Sequence, residues 1–136
     1  MGNAEMIVLD THAWIWWVSS PERLSDTGRE AIDRAMAAES LYLSCISAWE
    51  VAMLTERGRL QLTMEARDWI AKSEALSFLK FVPVNNNIAI RSVQLLAPIH
   101  PDPADRIIIA TALELGAAVA TKDEKIQNYP HVKSVW

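Results

Sequence analysis

Apolar residues form two kinds of segment along the chain, and their alternation predicts strands separated by helices. Short apolar runs bounded by polar residues, glycine or proline are typical of buried strands. Such runs occupy residues 6–9, 41–46, 81–84, 117–120 and 132–135. The longer stretches between and after them have the composition of helices, at residues 13–18, 27–39, 47–58, 64–78, 88–96, 103–115 and 124–128.

Strands that alternate with helices indicate a parallel sheet, because right-handed crossovers place helices on both of its faces. The predicted fold is therefore a three-layer α/β/α sandwich with a mostly parallel central sheet of four to five strands. Pro83 inside the third run predicts an edge position or a strand end. The 136 residues suit one domain, 1–136, in which residues 1–5 form a short N-terminal extension.

The segment from His100 to Asp123 organises this prediction. Asp102 can cap a helix, Pro103 fits its first position, and Gly116 is a stop signal before a buried strand. Asp105 lies on the same helix face as apolar residues three, four and seven positions later. A carboxylate at the start of an apolar stripe must find hydrogen bonds, a cation or a proton.

Composition excludes some partners and compartments. Hydrophobic residues make up 51% and charged residues 22%, as in soluble globular proteins. A net charge of -4 offers no general attraction to nucleic acid, so a polyanion must meet a local patch or a bound cation. The single cysteine, Cys45, suits a reducing compartment. We see no signal peptide and no apolar run long enough to span a bilayer, so a cytoplasmic protein without membrane contact is expected.

Four acids are predicted to converge at one edge of the sheet. Asp10 ends the first strand, Glu50 opens the helix after the second, Asp105 opens the organising helix, and Asp123 follows the fourth strand. The carboxyl ends of parallel strands and the starts of the following helices share one edge, where α/β proteins bind ligands. Converging carboxylates repel one another, and a divalent cation with oxygen ligands, such as Mg²⁺, removes that repulsion.

Each acid also has a purely structural interpretation. Glu50 completes a Ser-x-x-Glu capping box with Ser47. Asp102 is better explained as a helix cap than as a ligand. Asp105 at the third helical position could merely favour the helix dipole, and Asp123 could belong to a turn. The acid after the first strand is the hardest to explain in this way, and the joint placement favours a site.

Weaker signals surround these acids. Thr11 and His12 could orient the neighbouring acid, contact substrate or form a local turn. Thr121 could hydrogen-bond Asp123 or a water, or simply end its strand. Arg106 and Lys122 could hold phosphates. The clustered tryptophans could stack on bases, although their apolar surroundings favour the core or an interface.

Four segments together resemble the PIN-domain family, specifically the VapC-like toxins of bacterial type II toxin–antitoxin pairs. They are VLDTH at 8–12, SAWE at 47–50, DPADR at 102–106 and TKD at 121–123, and the resemblance covers residues 6–136. Their order and spacing are specific only in combination. By position, the family's acidic quartet of catalytic and metal-binding residues matches Asp10, Glu50, Asp105 and Asp123. Asp10 and Asp105 correspond to the most usual direct metal ligands.

The resemblance implies a metal-dependent endoribonuclease, a homodimer and a cognate antitoxin that inhibits it, with DNA contacted only through the antitoxin. Mg²⁺ or Mn²⁺ would activate a water for attack on an RNA phosphodiester. Glu50 and Asp123 would bind waters around this ion or a second ion, and one of them could assist proton transfer.

Other functions remain possible from the sequence. A haloacid-dehalogenase-like phosphatase also places an aspartate after its first strand, but it wants a second acid where His12 stands. A non-catalytic nucleotide- or partner-binding module with a structural cation lacks support from any glycine-rich phosphate loop. A silent half of a DNA-binding complex would need a partner that supplies the basic surface.

Overall fold

The central sheet of the computed structural model, which describes residues 5–98 and 100–136, has five strands. They are β1 (Ile7–Leu9), β2 (Leu41–Ser44), β3 (Leu79–Val82), β4 (Ala118–Ala120) and β5 (Ser134–Val135). Seven α-helices lie in this part of the chain: α1 (Thr11–Ser19), α2 (Asp26–Ala37), α3 (Cys45–Glu56), α4 (Ala66–Glu74), α5 (Asn86–Val93), α6 (Pro103–Leu115) and α7 (Glu124–Gln127). The strand order is β3-β2-β1-β4-β5, and every neighbouring pair is parallel.

β1 lies at the centre of the sheet and sets the position of the candidate site. Its last residue, Leu9, pairs with Leu43 of β2 on one side and with Ala120 of β4 on the other. The three strands therefore reach the same edge at the same level. Asp10 and Thr121, which follow β1 and β4 directly, are neighbours at this edge because their strands are in register.

The side chains of β1 alternate between two apolar cores, one on each face of the sheet. Ile7 and Leu9 belong to a cluster that includes Trp14 of α1 and residues of α2 and α4. Val8 belongs to a second cluster that includes Ile109 of α6 and Ile126 of α7. α5 packs against α6. The prediction of a three-layer α/β/α sandwich is thus confirmed, with five strands that are all parallel.

The start and end of α6 confirm the prediction for the organising segment. Asp102 is the N-cap, and its Oδ1 accepts hydrogen bonds from the backbone N–H groups of Ala104 at 2.8 Å and Asp105 at 3.2 Å. Pro103 occupies the first helical position. Gly116 ends the helix with φ at 70°, a left-handed conformation that glycine adopts without steric cost.

The predicted capping box at the start of α3 is wrong. Ser44 is the N-cap, because its Oγ accepts from the backbone N–H of Ile46 at 3.1 Å, and the helix begins at Cys45. The strand before it is accordingly shorter than the predicted residues 41–46. Ser47 and Glu50 lie inside the helix, so capping does not explain the presence of Glu50.

Other helix limits also differ from the predictions. α1 begins two residues before the predicted 13–18, because Asp10 caps it. α4 is shorter than the predicted 64–78, and α5 ends at Val93, well before Pro98. β3 is an edge strand and Pro83 follows its last residue, as proline's missing N–H favours.

Part of the predicted N-terminal extension at 1–5 lies outside the described residues, of which Glu5 is the first. Within the described ranges, no helix is long and apolar enough to cross a membrane.

Candidate active site at the carboxyl edge of the sheet

A cavity of about 490 Å³ opens at the edge where β1 and β4 end. This volume falls in the range of roughly 300–1,000 Å³ that is usual for small-ligand sites. Its lining includes one lysine, Lys122, and six carboxylic acids: Asp10, Glu50, Asp102, Asp105, Asp123 and Glu124. All four acids of the predicted quartet therefore meet in one place, although they come from four separate parts of the chain.

Asp10 is held by both of its carboxylate oxygens. Oδ1 accepts from the backbone N–H of Ala13 at 2.7 Å, which makes Asp10 the N-cap of α1. Oδ2 accepts from the Thr121 hydroxyl, across the register between β1 and β4. Only 6% of Asp10 is exposed, so its orientation is set by these two contacts.

Glu50 reaches the cavity from the second turn of α3. Its Oε1 accepts a hydrogen bond from the hydroxyl of Thr11, the first residue of α1. The Thr11 hydroxyl also shares a 2.9 Å hydrogen bond with the Ser47 hydroxyl. Thr11 is only 2% exposed and its hydroxyl is occupied by these contacts, so the structure shows it orienting Glu50.

Asp123 follows β4 and caps α7. Its Oδ1 accepts from the backbone N–H of Lys125 at 2.8 Å, and its own N–H donates to the Thr121 hydroxyl at 2.9 Å. Thr121 is fully buried and bridges Asp10 and Asp123. Of the alternatives that the sequence left open for Thr121, the structure shows the hydrogen bond to Asp123.

His100 lies behind the acids and was assigned no role from the sequence. Its Nε2 hydrogen-bonds Oδ2 of Asp123 at 3.1 Å and lies 3.2 Å from Oδ2 of Asp105. Its Nδ1 accepts from the backbone N–H of Asp102 at 3.0 Å. The sequence signal that could have identified His100 is its position two residues before the Asp102-Pro103 helix start. The local pattern does not show which acids it contacts.

The remaining predicted contact residues separate into two groups. His12 is exposed and Lys122 is exposed, and both line the cavity. They flank Trp16, whose ring centroid lies 5.9 Å from the His12 ring and 5.8 Å from Lys122 Nζ. Arg106 does not belong to the described lining; its Nε donates to the backbone carbonyl of His100, which is a structural contact.

Burial and mutual repulsion change the acidity of two of the acids. Burial raises the pKa of Asp10 above its ordinary value of 3.8, although the Thr121 hydrogen bond opposes this change. Burial, reinforced by the carboxylates of Asp102, Glu50, Asp123 and Asp10, raises the pKa of Asp105 from 3.8 to about 8. In the metal-free protein at neutral pH, Asp105 is therefore mostly protonated.

The donor set fits a hard divalent cation. Carboxylate oxygens are the ligands that Mg²⁺ and Mn²⁺ prefer. A cation among these acids would also stabilise the ionised form of Asp105, which the metal-free site disfavours. Two further residues line the same cavity: Glu124, which the sequence did not single out, and Trp16, one of the clustered tryptophans.

Comparison with known proteins agrees with this geometry. The PIN domain family model matches residues 7–132, which is nearly the whole chain. The chain belongs to the PIN-domain family. Ribonuclease VapC22 of Mycobacterium tuberculosis is 33% identical over 129 residues, which cover 95% of each protein.

Two solved structures share the fold of this chain. The chain resembles DNA-bound VapBC from Salmonella typhimurium with a TM-score of 0.67 and 19% identity, covering 96% of both chains. It resembles FitAcB from Neisseria gonorrhoeae with a TM-score of 0.62 and 22% identity, covering 95% of this chain and 96% of the other. At these identities the similarity shows the fold.

The raised pKa of Asp105 predicts how the stability of the metal-free PIN domain depends on pH. Between pH 3.8 and about 8 the unfolded chain has lost the Asp105 proton, whereas the folded chain retains it. The folded state then binds more protons, so Asp105 makes the free energy of unfolding fall as pH rises. The slope from this group is at most about 1.4 kcal/mol per pH unit.

Denaturant unfolding in chelator between pH 5 and 8 measures this slope. We expect Asp105→Asn to flatten it and to be more stable than the wild type at pH 8, whereas Asp33→Asn on the exposed side of α2 should keep the wild-type slope. Equal slopes for Asp105→Asn and wild type would show that Asp105 titrates normally.

Proposed function

We propose that this PIN domain is a divalent-cation-dependent endoribonuclease and the toxin of a toxin–antitoxin pair. The observation that carries the proposal is the convergence of Asp10, Glu50, Asp105 and Asp123 in one cavity at the carboxyl edge of the sheet. The relative named Ribonuclease VapC22, which matches over nearly the full length, supports RNA as the substrate.

We assign the cation to the quartet and specify Mg²⁺ or Mn²⁺ because every proposed ligand atom is a carboxylate oxygen. Asp10 and Asp105 would hold it directly, and Glu50 and Asp123 would complete its surroundings. A bound ion of this kind supplies charge neutralisation at the phosphate and activates water for attack on the phosphodiester. Asp105 must release its proton when the cation binds, because its pKa lies near 8 without one.

The residues around the quartet have two proposed tasks. Thr11 and Thr121 hold Glu50 and Asp10 in place, as their hydrogen bonds indicate. His12 and Lys122 are exposed at the cavity and are available to the RNA backbone. Lys122 is the only basic side chain, other than histidine, in the described lining. We therefore propose that it binds an RNA phosphate next to the scissile phosphate.

Replacing Asp10 tests the proposed enzyme directly. Asp10→Asn keeps the shape of the side chain but removes its charge, so we expect cleavage of single-stranded and structured RNA pools to fall by at least about 100-fold. A loss of that size corresponds to about 2.7 kcal/mol of transition-state stabilisation. Chelator should abolish cleavage by the wild type, and Mg²⁺ or Mn²⁺ should restore it.

Asp33→Asn is the matched control for this experiment, because it removes an exposed carboxylate that is not part of the described cavity lining. It should cleave RNA like the wild type. Metal-independent cleavage, or an Asp10→Asn variant as active as the control, would refute the proposed site.

Lys122→Ala tests the phosphate contact. We expect a higher KM with little change in kcat, because a backbone contact away from the reacting phosphate contributes to binding alone. The slope of log KM against log salt concentration should fall by about 0.7, the value for one phosphate contact to a single strand. Lys72→Ala, which removes an exposed lysine of α4, should change neither quantity. An unchanged salt slope for Lys122→Ala would remove this lysine from the RNA site.

We further propose that the chain forms a homodimer and binds a cognate antitoxin, and that the antitoxin makes the contacts between the complex and DNA. The solved relatives include a DNA-bound VapBC complex and a structure described as a toxin–antitoxin complex from Klebsiella pneumoniae. The described surface also offers apolar residues for an interface, since Ile90, Val93 and Leu96 on and after α5 are 53%, 70% and 64% exposed.

Co-expression tests the proposed antitoxin, and light scattering tests the proposed homodimer. The product of a small open reading frame next to this gene should co-purify with the chain, and RNA cleavage by the complex should be suppressed. Light scattering on the purified 15.2 kDa chain should give twice that mass. A monomer at all concentrations would contradict the dimer, and full activity of the complex would contradict the antitoxin assignment.

A further inference from the structure

His100 occupies a position that by distance alone would suit a metal ligand. One nitrogen of His100 and one oxygen each from Asp105 and Asp123 all lie within 4.8 Å of one another. The side chain is only 4% exposed, so its hydrogen-bond partners are confined to the protein and the cavity. Its two ring nitrogens show whether it acts as a ligand.

The backbone of Asp102 determines which ring nitrogen carries the proton. A backbone N–H can only donate, and the N–H of Asp102 points at Nδ1 of His100 at 3.0 Å. Nδ1 must therefore be an acceptor without a proton. A neutral ring then carries its proton on Nε2, which faces Asp123 at 3.1 Å and Asp105 at 3.2 Å. A protonated Nε2 has no lone pair for a metal ion.

We infer that His100 is a positioning residue that donates its Nε2–H to the carboxylates of Asp123 and Asp105 and does not bind the cation. This inference rests on the proposed function, since its purpose is to prepare two acids for a cation. Once a cation has displaced the proton of Asp105, a single N–H between the two carboxylates reduces their repulsion and fixes the oxygens it contacts. Oδ1 of Asp123 is likewise fixed, because it accepts from the backbone N–H of Lys125.

The loop before α6 makes this arrangement rigid. The carbonyl of His100 accepts from Arg106 Nε one turn into the helix, and its ring accepts from Asp102 at the helix start. The imidazole is thus tied to the same helix that carries Asp105. The contact to Asp123 joins this helix to the segment that follows β4, so His100 connects the carboxyl groups of Asp105 and Asp123.

Two substitutions distinguish the roles of the two ring nitrogens of His100. His100→Asn retains an acceptor near the position of Nδ1, for the Asp102 N–H, but loses the donor to the acids. His100→Gln retains a donor near the position of Nε2 and loses the acceptor. If His100 acts by donating to the acids, His100→Asn lowers Mn²⁺ affinity about 10- to 100-fold, which is the usual loss when a residue that hydrogen-bonds a metal ligand is replaced. His100→Gln should lose clearly less affinity.

Spectroscopy on the whole chain supplies the decisive readouts. In the metal-free protein, ¹⁵N NMR should show the His100 proton on Nε2; a proton on Nδ1 would overturn the inference without any cation present. In the Mn²⁺-loaded protein, electron spin echo spectra should show no directly coordinated histidine nitrogen. A coordinated nitrogen that disappears in His100→Asn would make His100 a ligand and overturn the inference.

The proposed function fails in a different way from this inference. If the wild type bound no Mn²⁺, or if Asp10→Asn bound it as well as the wild type, the metal site in the quartet would be refuted, whatever the tautomer of His100. If the wild type binds Mn²⁺ and both His100 variants bind it as tightly as the wild type does, the metal site stands and the positioning role is refuted.

Discussion

Repulsion among carboxylates gathered at one edge of the sheet is the constraint on which the rest of this site depends. Six acids line the cavity with one lysine, and burial, reinforced by the neighbouring carboxylates, raises the pKa of Asp105 to about 8. Such a cluster opposes folding unless other groups compensate. The structure provides compensation through hydroxyl groups, backbone N–H groups and one imidazole, each directed at a particular carboxylate oxygen.

Three of the acids are also helix caps, and this reconciles the structural and functional interpretations of the sequence. Asp10, Asp102 and Asp123 accept backbone N–H groups at the starts of α1, α6 and α7. The N-terminal ends of α1 and α6 carry a partial positive charge, which favours anionic side chains there. A cap uses one carboxylate oxygen, and the second oxygen of Asp10 and of Asp123 is held by Thr121 and by His100, respectively. Capping therefore helps to hold the acids in place and does not compete with their proposed function.

Glu50 shows where local pattern misleads. Two serines, Ser44 and Ser47, lie near the start of α3, and serine is a good capping residue. The spacing of Ser47 and Glu50 matches a capping box, but β2 ends at Ser44, where the strand is still paired with Val82 of β3. The helix starts immediately afterwards, so Glu50 lies in its second turn and not in its first. Its partner is then Thr11, 39 residues away in sequence.

The sequence by itself determined the order of strands and helices, the parallel sheet and the identity of the four acids, because these depend on local apolar runs and on the rule that parallel strands share a carboxyl edge. The tertiary structure decided which groups hold those acids. The contacts of Glu50 with Thr11, of Asp10 with Thr121 and of Asp123 with His100 join residues that are distant along the chain. Hydrogen bonds of this kind depend on strand register and helix placement, which no periodicity in the sequence records.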